Sequence, residues 1–480
     1  MILIIAMIGI PAALAVISIV LPSRTSGPLT ALGGLCTAAC IIAADMGGAA
    51  GVRAPDALSA IFLLPVAIIY GTVGLYTTWY VQAESPANSE GERYRREFLA
   101  LTNAFACSEI VVPLLTNMGG LWVALETTTI LSALLIRLQG TAAALEAAWK
   151  YILIASCGLA FGLVGVVLLY VAGIGPLGDH HIPQWSAYIG ASAHLNPDAV
   201  RLAFIFALIG FGTKMGLAPM HAWLPDAHGA GPTPTSAMLS GALLSDALYA
   251  ILRFAAIANL AVGHGLSQIL FFVVGLISLF LAAFFLLQQR DIKRMLAYSS
   301  IEHMGVIACG LAFGAPLAVA GALLHAINHA ASKSLAFFAA GRLTERYETR
   351  EIAGIRGGIA TLPVSGTLFA LAGLSLAGLP PFGVFRSELM ILGGGFQSGS
   401  WMLAIVVALL LAVAFAGLLR WVTTTSAGSA DREIHRGERF GLAVYAMLLG
   451  FIVVLGLGLI VPPQLTQLLG RAVAIVGQTS

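Results

Sequence analysis

The chain has 480 residues, of which 59% are hydrophobic and only 10% charged, and its mean hydropathy is +0.93. Soluble domains carry about 25% charged residues, so this composition excludes a soluble globule and predicts an all-α polytopic membrane protein. The net charge of only +2 gives no indication of nucleic acid as a partner.

A helix that crosses the hydrocarbon needs about 20 apolar residues. Taken in chain order, the apolar runs predict about fourteen such helices. The first lies near 2–21. It has no basic residue ahead of it and no small-residue cleavage site, so it reads as a span and not a signal peptide. Spans follow near 29–50, 57–81, 97–116, 118–137 and 151–173. The seventh, near 200–217, is irregular. It runs into Gly210-Phe-Gly-Thr-Lys-Met-Gly-Leu-Ala-Pro219, where Gly and Pro open the helix. Further spans lie near 236–257, 266–289, 295–314 and 317–340. The twelfth, near 362–393, is broken at Gly378-Leu-Pro-Pro-Phe-Gly383, and the last two lie near 401–421 and 441–461.

The basic residues set the orientation. With the N-terminus outside, only Arg53, Arg201, Arg253 and Arg471 of the 24 Lys and Arg fall in outer loops. Lys214, Lys333 and Arg386 lie within spans. All the others, including Arg93, Lys150, Lys293, Arg294 and Arg432, fall in inner loops. Cytoplasmic loops carry the excess of Lys and Arg, so both termini are expected outside, on the periplasmic side of the inner (plasma) membrane.

Two Gly/Pro-interrupted spans five apart, each beside an ionisable residue, are what an inverted repeat of five helices produces. The chain then divides into helices 1–3 (1–96), a first repeat (97–260), a second repeat (261–424), and a fourteenth helix with its tail (425–480). Each repeat is expected to form a half-channel.

Charges inside a bilayer mark pathways, because an ionised lysine near its centre costs about 2.5–3.5 kcal/mol even on the lenient scale. Lys214 sits in the first break. Glu126, in LWVALETTTILSALLI, is read as its carboxylate partner from the fifth span; the alternative is an acid that snorkels to the surface. His325, His329 and Lys333 follow one another at i, i+4 and i+8 and share one helix face. Imidazole carries protons near neutral pH, and waters are expected to bridge the side chains. The pair of histidines at i, i+4 could also bind zinc, but no acidic third ligand is close in sequence and Lys333 repels a cation, so no metal is expected. Glu388 follows the second break and is read as a terminal proton site; a local pair with Arg386 is the alternative. His303, Glu109 and Asp246 are further candidates at membrane depth. His221, Asp226 and His228 lie after the first break, in what reads as a loop on the inner side; they either form a proton entry or tie that loop down.

Other chemistry is absent from the pattern. Cys36, Cys40, Cys107, Cys157 and Cys309 lie in apolar segments without metal-ligand spacing. GFGTKMG lacks the G-x-x-x-x-G-K-[ST] spacing of a phosphate loop. No cofactor is expected in this chain.

Five motifs together resemble the antiporter-like subunits of the respiratory complex I superfamily. They are LWVALE, GTKMGLAPMHAWLPDAHGAGPTPTSAMLSGALL, RDIKRMLAYSSIEHMG, LLHAINHAASKSLAFFAAG and GLPPFGVFRSE, in that order between about residues 95 and 400. Within the superfamily, SSIEHMG and GLPPFGVFRSE are most similar to the large membrane subunit of hydrogenase-4 and related formate-hydrogenlyase complexes. Multi-subunit cation/proton antiporters come next. The resemblance implies fourteen helices and two inverted half-channels joined by a charged, watered axis. It implies that Glu126, Lys214, His325, His329, Lys333 and Glu388 carry protons. It implies other membrane subunits and a peripheral redox arm as partners, with iron–sulfur or nickel–iron centres held there. Many relatives carry a lysine in the eighth span. Here LLSDALY places Ser245 at that position and Asp246 beside it, which leaves water, Asp246 or neither as the link between the halves. The rival functions are a Na⁺/H⁺ antiporter subunit and a membrane scaffold with a vestigial channel.

Overall fold

The computed structural model describes residues 2–46, 56–429 and 434–477. Arg53, Arg432 and the C-terminal Gln478 lie outside them. Every regular element among the described residues is helical. In chain order these are α1 (Ile2–Val20), α2 (Ser23–Met46), α3 (Ala57–Ala83), α4 (Ser89–Leu114), α5 (Met118–Arg137) and α6 (Ala142–Leu177). A broken pair follows, α7a (Pro197–Met215) and α7b (Trp223–Ala230). Then come α8 (Leu244–Val262), α9 (Gly265–Gln288), α10 (Ile292–Phe313) and α11 (Pro316–Tyr347). A second broken pair, α12a (Pro363–Leu376) and α12b (Gly383–Gln397), precedes α13 (Trp401–Ser426), α14 (Leu442–Leu459) and α15 (Pro463–Ile475).

Twelve of the described helical segments are long and apolar enough to cross a membrane. Two spans expected from sequence fall outside the twelve for identifiable reasons. α11 has 32 residues, but its polar residues lower its mean hydropathy. The twelfth span is split into halves too short to qualify.

Polar residues just outside the apolar runs start the helices. Asp56 accepts from Ser59 N at 2.9 Å, Asn88 from Gly91 N at 2.8 Å and Asn117 from Gly120 N at 2.9 Å. Asp291 does the same for α10, accepting from Lys293 N at 2.8 Å. These side chains satisfy amides that the first helical turn leaves free.

The two breaks survive at membrane depth because their freed backbone groups find partners inside the protein. At the first, Gly216 has φ +79° and Leu217 N donates back to Gly212 O at 2.9 Å, a left-handed helix end. The Trp223 indole donates to Thr213 O at 2.8 Å, and Ala218 N donates to Ser278 Oγ at 2.8 Å. At the second, Gly378 has φ +69°, Leu379 N donates to Leu374 O at 3.1 Å, and Asn328 Nδ2 donates to Gly383 O at 2.7 Å.

The stretch after the first break is not the loop its sequence suggested. Trp223–Ala230 is α-helical. Pro225 is tolerated because it falls in the first turn, where no intrahelical donor is needed.

The core sits around α8, α10 and α11. The most apolar part of the segment containing α8 is entirely buried, and that of α10 is 94% buried, against 22% for α1 and 28% for α13. The outer helices therefore face lipid, and the ionisable residues of the centre are shielded by them. α6 and α7a touch backbone to backbone: a Cβ on Gly210 would lie 2.6 Å from the Gly162 Cα.

Ion pairs tie the helices together at their ends. Asp226 at the end of α7b pairs with Arg294 at 2.7 Å and Lys150 at 3.3 Å, joining three segments expected on the inner side. At the opposite end Arg253 is buried against Asp56, 2.5 Å away, with the rings of Tyr249 and Trp185 at 4.9 and 5.8 Å. Burial would push the Asp56 carboxyl up, but Arg253 and the donors of Ser59 outweigh it and hold it below the usual carboxylate range. Lys293 departs from the loop position expected of it. It is buried, and its ammonium donates to Gly231 O at 3.1 Å.

Candidate functional site: a buried polar axis

In the first half, Lys214 is fully buried at the end of α7a. Its ammonium donates to Leu125 O at 2.5 Å and to the Thr129 hydroxyl, both on α5. Glu126 makes no ion pair with it. Successive helical residues are rotated by about 100°, so Glu126 points away from the Leu125–Thr129 edge. Its Oε1 accepts from Ser156 of α6 at 2.7 Å, and Oε2 has no partner. The expected contact pair is thus replaced by a looser arrangement in which Glu126, Asp246 and Glu109 are the carboxylates facing Lys214. Glu109 and Asp246 are completely buried, and none of their carboxylate oxygens has a partner.

Asp246 lies just past a π-helical turn, Leu239–Leu243, that feeds α8. Such turns recur at functional sites because they displace the following side chains. Ser245 turns away and donates to Gly241 O at 3.0 Å. Between the halves, the Ser240 and Ser300 hydroxyls lie 2.8 Å apart.

In the second half, Lys333 of α11 donates to Leu296 O of α10 at 2.6 Å. His325, His329 and Lys333 are all fully buried and share one stripe. No hydrogen bond links them to one another. The direct imidazole contact is instead with α10: His303 Nδ1 and His325 Nε2 are 2.9 Å apart, and the His303 and His329 ring centres are 5.2 Å apart. His325 Nδ1 meets Ser387 Oγ of α12b at 2.9 Å. His329 has no partner on either nitrogen.

Glu388, one residue past Ser387, is partly exposed. Its carboxyl lies over the second break, 3.0 Å from where a Cβ on Gly378 would be. Arg386 makes no ion pair with it among the described residues. One donor atom each of His303, His325 and Glu388 fall within 4.8 Å of one another. These three could approach a metal ion, but the two imidazoles already bond each other, and that contact suits proton transfer.

Glu302, beside His303 in SSIEHMG, is a functional candidate that the sequence pattern alone does not single out. It is 2% exposed, and its Oε2 has no hydrogen-bond partner. A carboxylate in a 22-residue apolar helix was the available signal.

His221, Asp226 and His228 separate. His221 is half-buried beside the break, Asp226 sits in the ion-pair cluster at the helix end, and His228 is fully buried. His228 stacks on Phe337 with ring centres 5.0 Å apart, both its nitrogens lack partners, and the cations facing it are Lys333 and Lys293. A polar cavity of about 480 Å³, lined by Glu84, Thr141, Lys293, Glu345 and Arg350 among others, opens at this end.

Three comparisons bear on this arrangement. The transmembrane family described as NADH:quinone oxidoreductase/Mrp antiporter matches residues 116–414. The chain is 36% identical over 414 residues to a hydrogenase-4 component F homologue of Methylacidiphilum infernorum, covering 86% of each protein. Its fold is similar to a chain of respiratory complex I from Thermus thermophilus with bound NADH, with TM-score 0.84, 23% identity and 99% of each chain covered. It is also similar to a chain of the Mrp complex from Dietzia, with TM-score 0.80, 20% identity, and 99% and 97% of the two chains covered.

Proposed function

Because the chain belongs to the NADH:quinone oxidoreductase/Mrp antiporter transmembrane family, as an antiporter-like membrane subunit, we propose that it carries protons across the membrane for a redox-driven complex. The observation that carries this reading is the row of buried titratable groups, with Lys214 at one end and the His303–His325 contact near the other, where the partly exposed Glu388 follows. Redox chemistry would occur in a peripheral arm that holds the iron–sulfur or nickel–iron centres. A charge or shape change in a neighbouring subunit would disturb the Glu126, Glu109 and Asp246 field around Lys214. Lys214 would then release its proton toward the second half.

Asp246 and the Ser240–Ser300 contact suit the link between halves that relatives make with a lysine. The cavity over Lys293, with His228 behind it, suits a mouth for proton uptake. Residues 97–260 and 261–424 are proposed as the two inverted five-helix units of a fourteen-span fold. Copurification in mild detergent with iron–sulfur or hydrogenase-like subunits supports a redox partner; copurification with small membrane subunits alone supports an antiporter assembly.

Sodium/proton exchange is the second reading, favoured by the Mrp likeness. Sodium prefers several oxygen ligands, whereas the second half offers imidazoles and an ammonium, which repel a cation when charged. Transport by the reconstituted complex is therefore expected not to depend on sodium at fixed pH and ionic strength. A saturable sodium requirement would favour exchange.

The proposed orientation has its own test. In a background with the five native cysteines replaced by alanine, cysteines at Ser89 and Gln478 are expected to react with an impermeant thiol reagent from opposite sides of the membrane. Labelling from one side would mean that the span count is wrong.

A further inference from the structure

We propose that Glu302 is a proton carrier of the second half, standing between Lys333 and the His303–His325 pair. The inference rests on the proton-translocation reading and adds a residue to it.

Four observations carry it. Glu302 is 2% exposed within α10, and its Oε2 has no hydrogen-bond partner. That oxygen lies 3.9 Å from His303 Nε2, which also has no partner. This gap is one small side-chain rotation, or one water, from a hydrogen bond. The cation facing Glu302 is Lys333 of α11, and the acid facing Glu388 of α12b is Glu302. Glu302 therefore feels the charges of α11 and α12b while lying beside His303.

The fourth observation is positional. Glu126 lies on the fifth helix and Glu302 on the tenth, while the broken spans are the seventh and twelfth. Both acids stand two spans before a break. Under the proposed inverted repeat, Glu302 is the second half's counterpart of Glu126.

The transfer balances without an added reactant. An N–H bond of the Lys333 ammonium breaks and an O–H bond forms on the Glu302 carboxylate, leaving both groups neutral. The carboxyl O–H then breaks as His303 Nε2 takes the proton. In the tautomer with hydrogen on Nδ1, His303 passes that hydrogen to His325 Nε2, 2.9 Å away. The positive charge moves from Lys333 to His325, whose Nδ1 meets Ser387 of α12b. No ring needs to move far.

The test uses the whole complex in sealed inverted membrane vesicles, with assembly scored by copurification of its subunits. A positioned acid–base group contributes about 10²–10⁴-fold to a proton-transfer step, so Glu302→Gln is expected to lower the rate of proton uptake by at least about tenfold. Glu302→Asp is expected to retain uptake with a shifted pH profile, because the shorter acid changes its distance to the groups around it, Lys333, His303, His325, His329 and Glu388. Glu302→Gln combined with Lys333→Met is expected to be no worse than the more severe single variant, since both lie on one path. Wild-type uptake by Glu302→Gln, in a complex where Lys333→Met is defective, overturns the inference alone. If Lys333→Met and Lys214→Ala also pump normally, the proton-translocation reading fails with it. Should Glu302→Gln not assemble, an unchanged pH profile in Glu302→Asp overturns the inference.

Discussion

Lys214→Ala is expected to abolish proton translocation, or to lower it by about a hundredfold, in a complex that still assembles. The lysine is fully buried and holds two acceptors on α5 through one ammonium. It is also the cation faced by Glu126, Glu109 and Asp246, so its proton is the one their charges govern. Assembly is expected to persist because the break itself is held by Trp223, Ser278 and the Gly216 turn, none of which uses the lysine side chain. Lys214→Arg separates charge from proton release. A guanidinium stays protonated under all working conditions, so this variant is expected to fail as well. Proton uptake in vesicles, measured with the redox reaction running, decides both. Normal pumping by either variant would remove Lys214 from the path.

Lys333→Met is expected to impair transport more than His325→Gln. Met removes the only cation on the α11 stripe and leaves nothing that can hold a proton or order water. Gln at 325 loses the proton-carrying ring, yet its amide can still bond Ser387 and keep water in line toward His303. We expect about a hundredfold loss for Lys333→Met and about tenfold for His325→Gln. Initial rates of uptake at one pH compare them directly. Equal losses would mean that the imidazole is as indispensable as the ammonium.

The residues that sequence reading singled out are those that break a composition rule. Lys214 is a charge in an apolar run, the two Gly/Pro segments interrupt spans, and His325, His329 and Lys333 repeat at helical spacing. Each signal is local, and the all-helical membrane fold followed from them. The features that stayed hidden depend on partners distant in sequence. Glu126 looks toward Lys214 in a helical projection, but Ser156 of α6 captures its carboxyl. Lys293 sits beside Arg290 and Arg294 and reads as a loop cation, yet Gly231 O draws it inward. His221 to His228 read as a loop because Pro219 precedes them and Pro225 falls among them, whereas the packing makes most of it helix. Arg253 and Asp56 lie far apart in the chain, and only the fold shows that they meet.

The backbone contact between α6 and α7a has a mechanical consequence. Gly158, Gly162 and Gly165 leave no padding between the two helices, and Thr213, beside Lys214, presses directly onto Gly158. Close approach through small residues makes such pairs stiff. α6 also carries Ser156, which holds Glu126. A push on the far end of this 36-residue rod therefore cannot be absorbed by sliding at the break. It displaces the lysine and the anchor of Glu126 as one rigid lever, while Leu125 and Thr129 stay on a separate helix. A force too small to bend either helix can still change how Lys214 sits on α5, and so let a neighbouring subunit's movement pace the release of each proton.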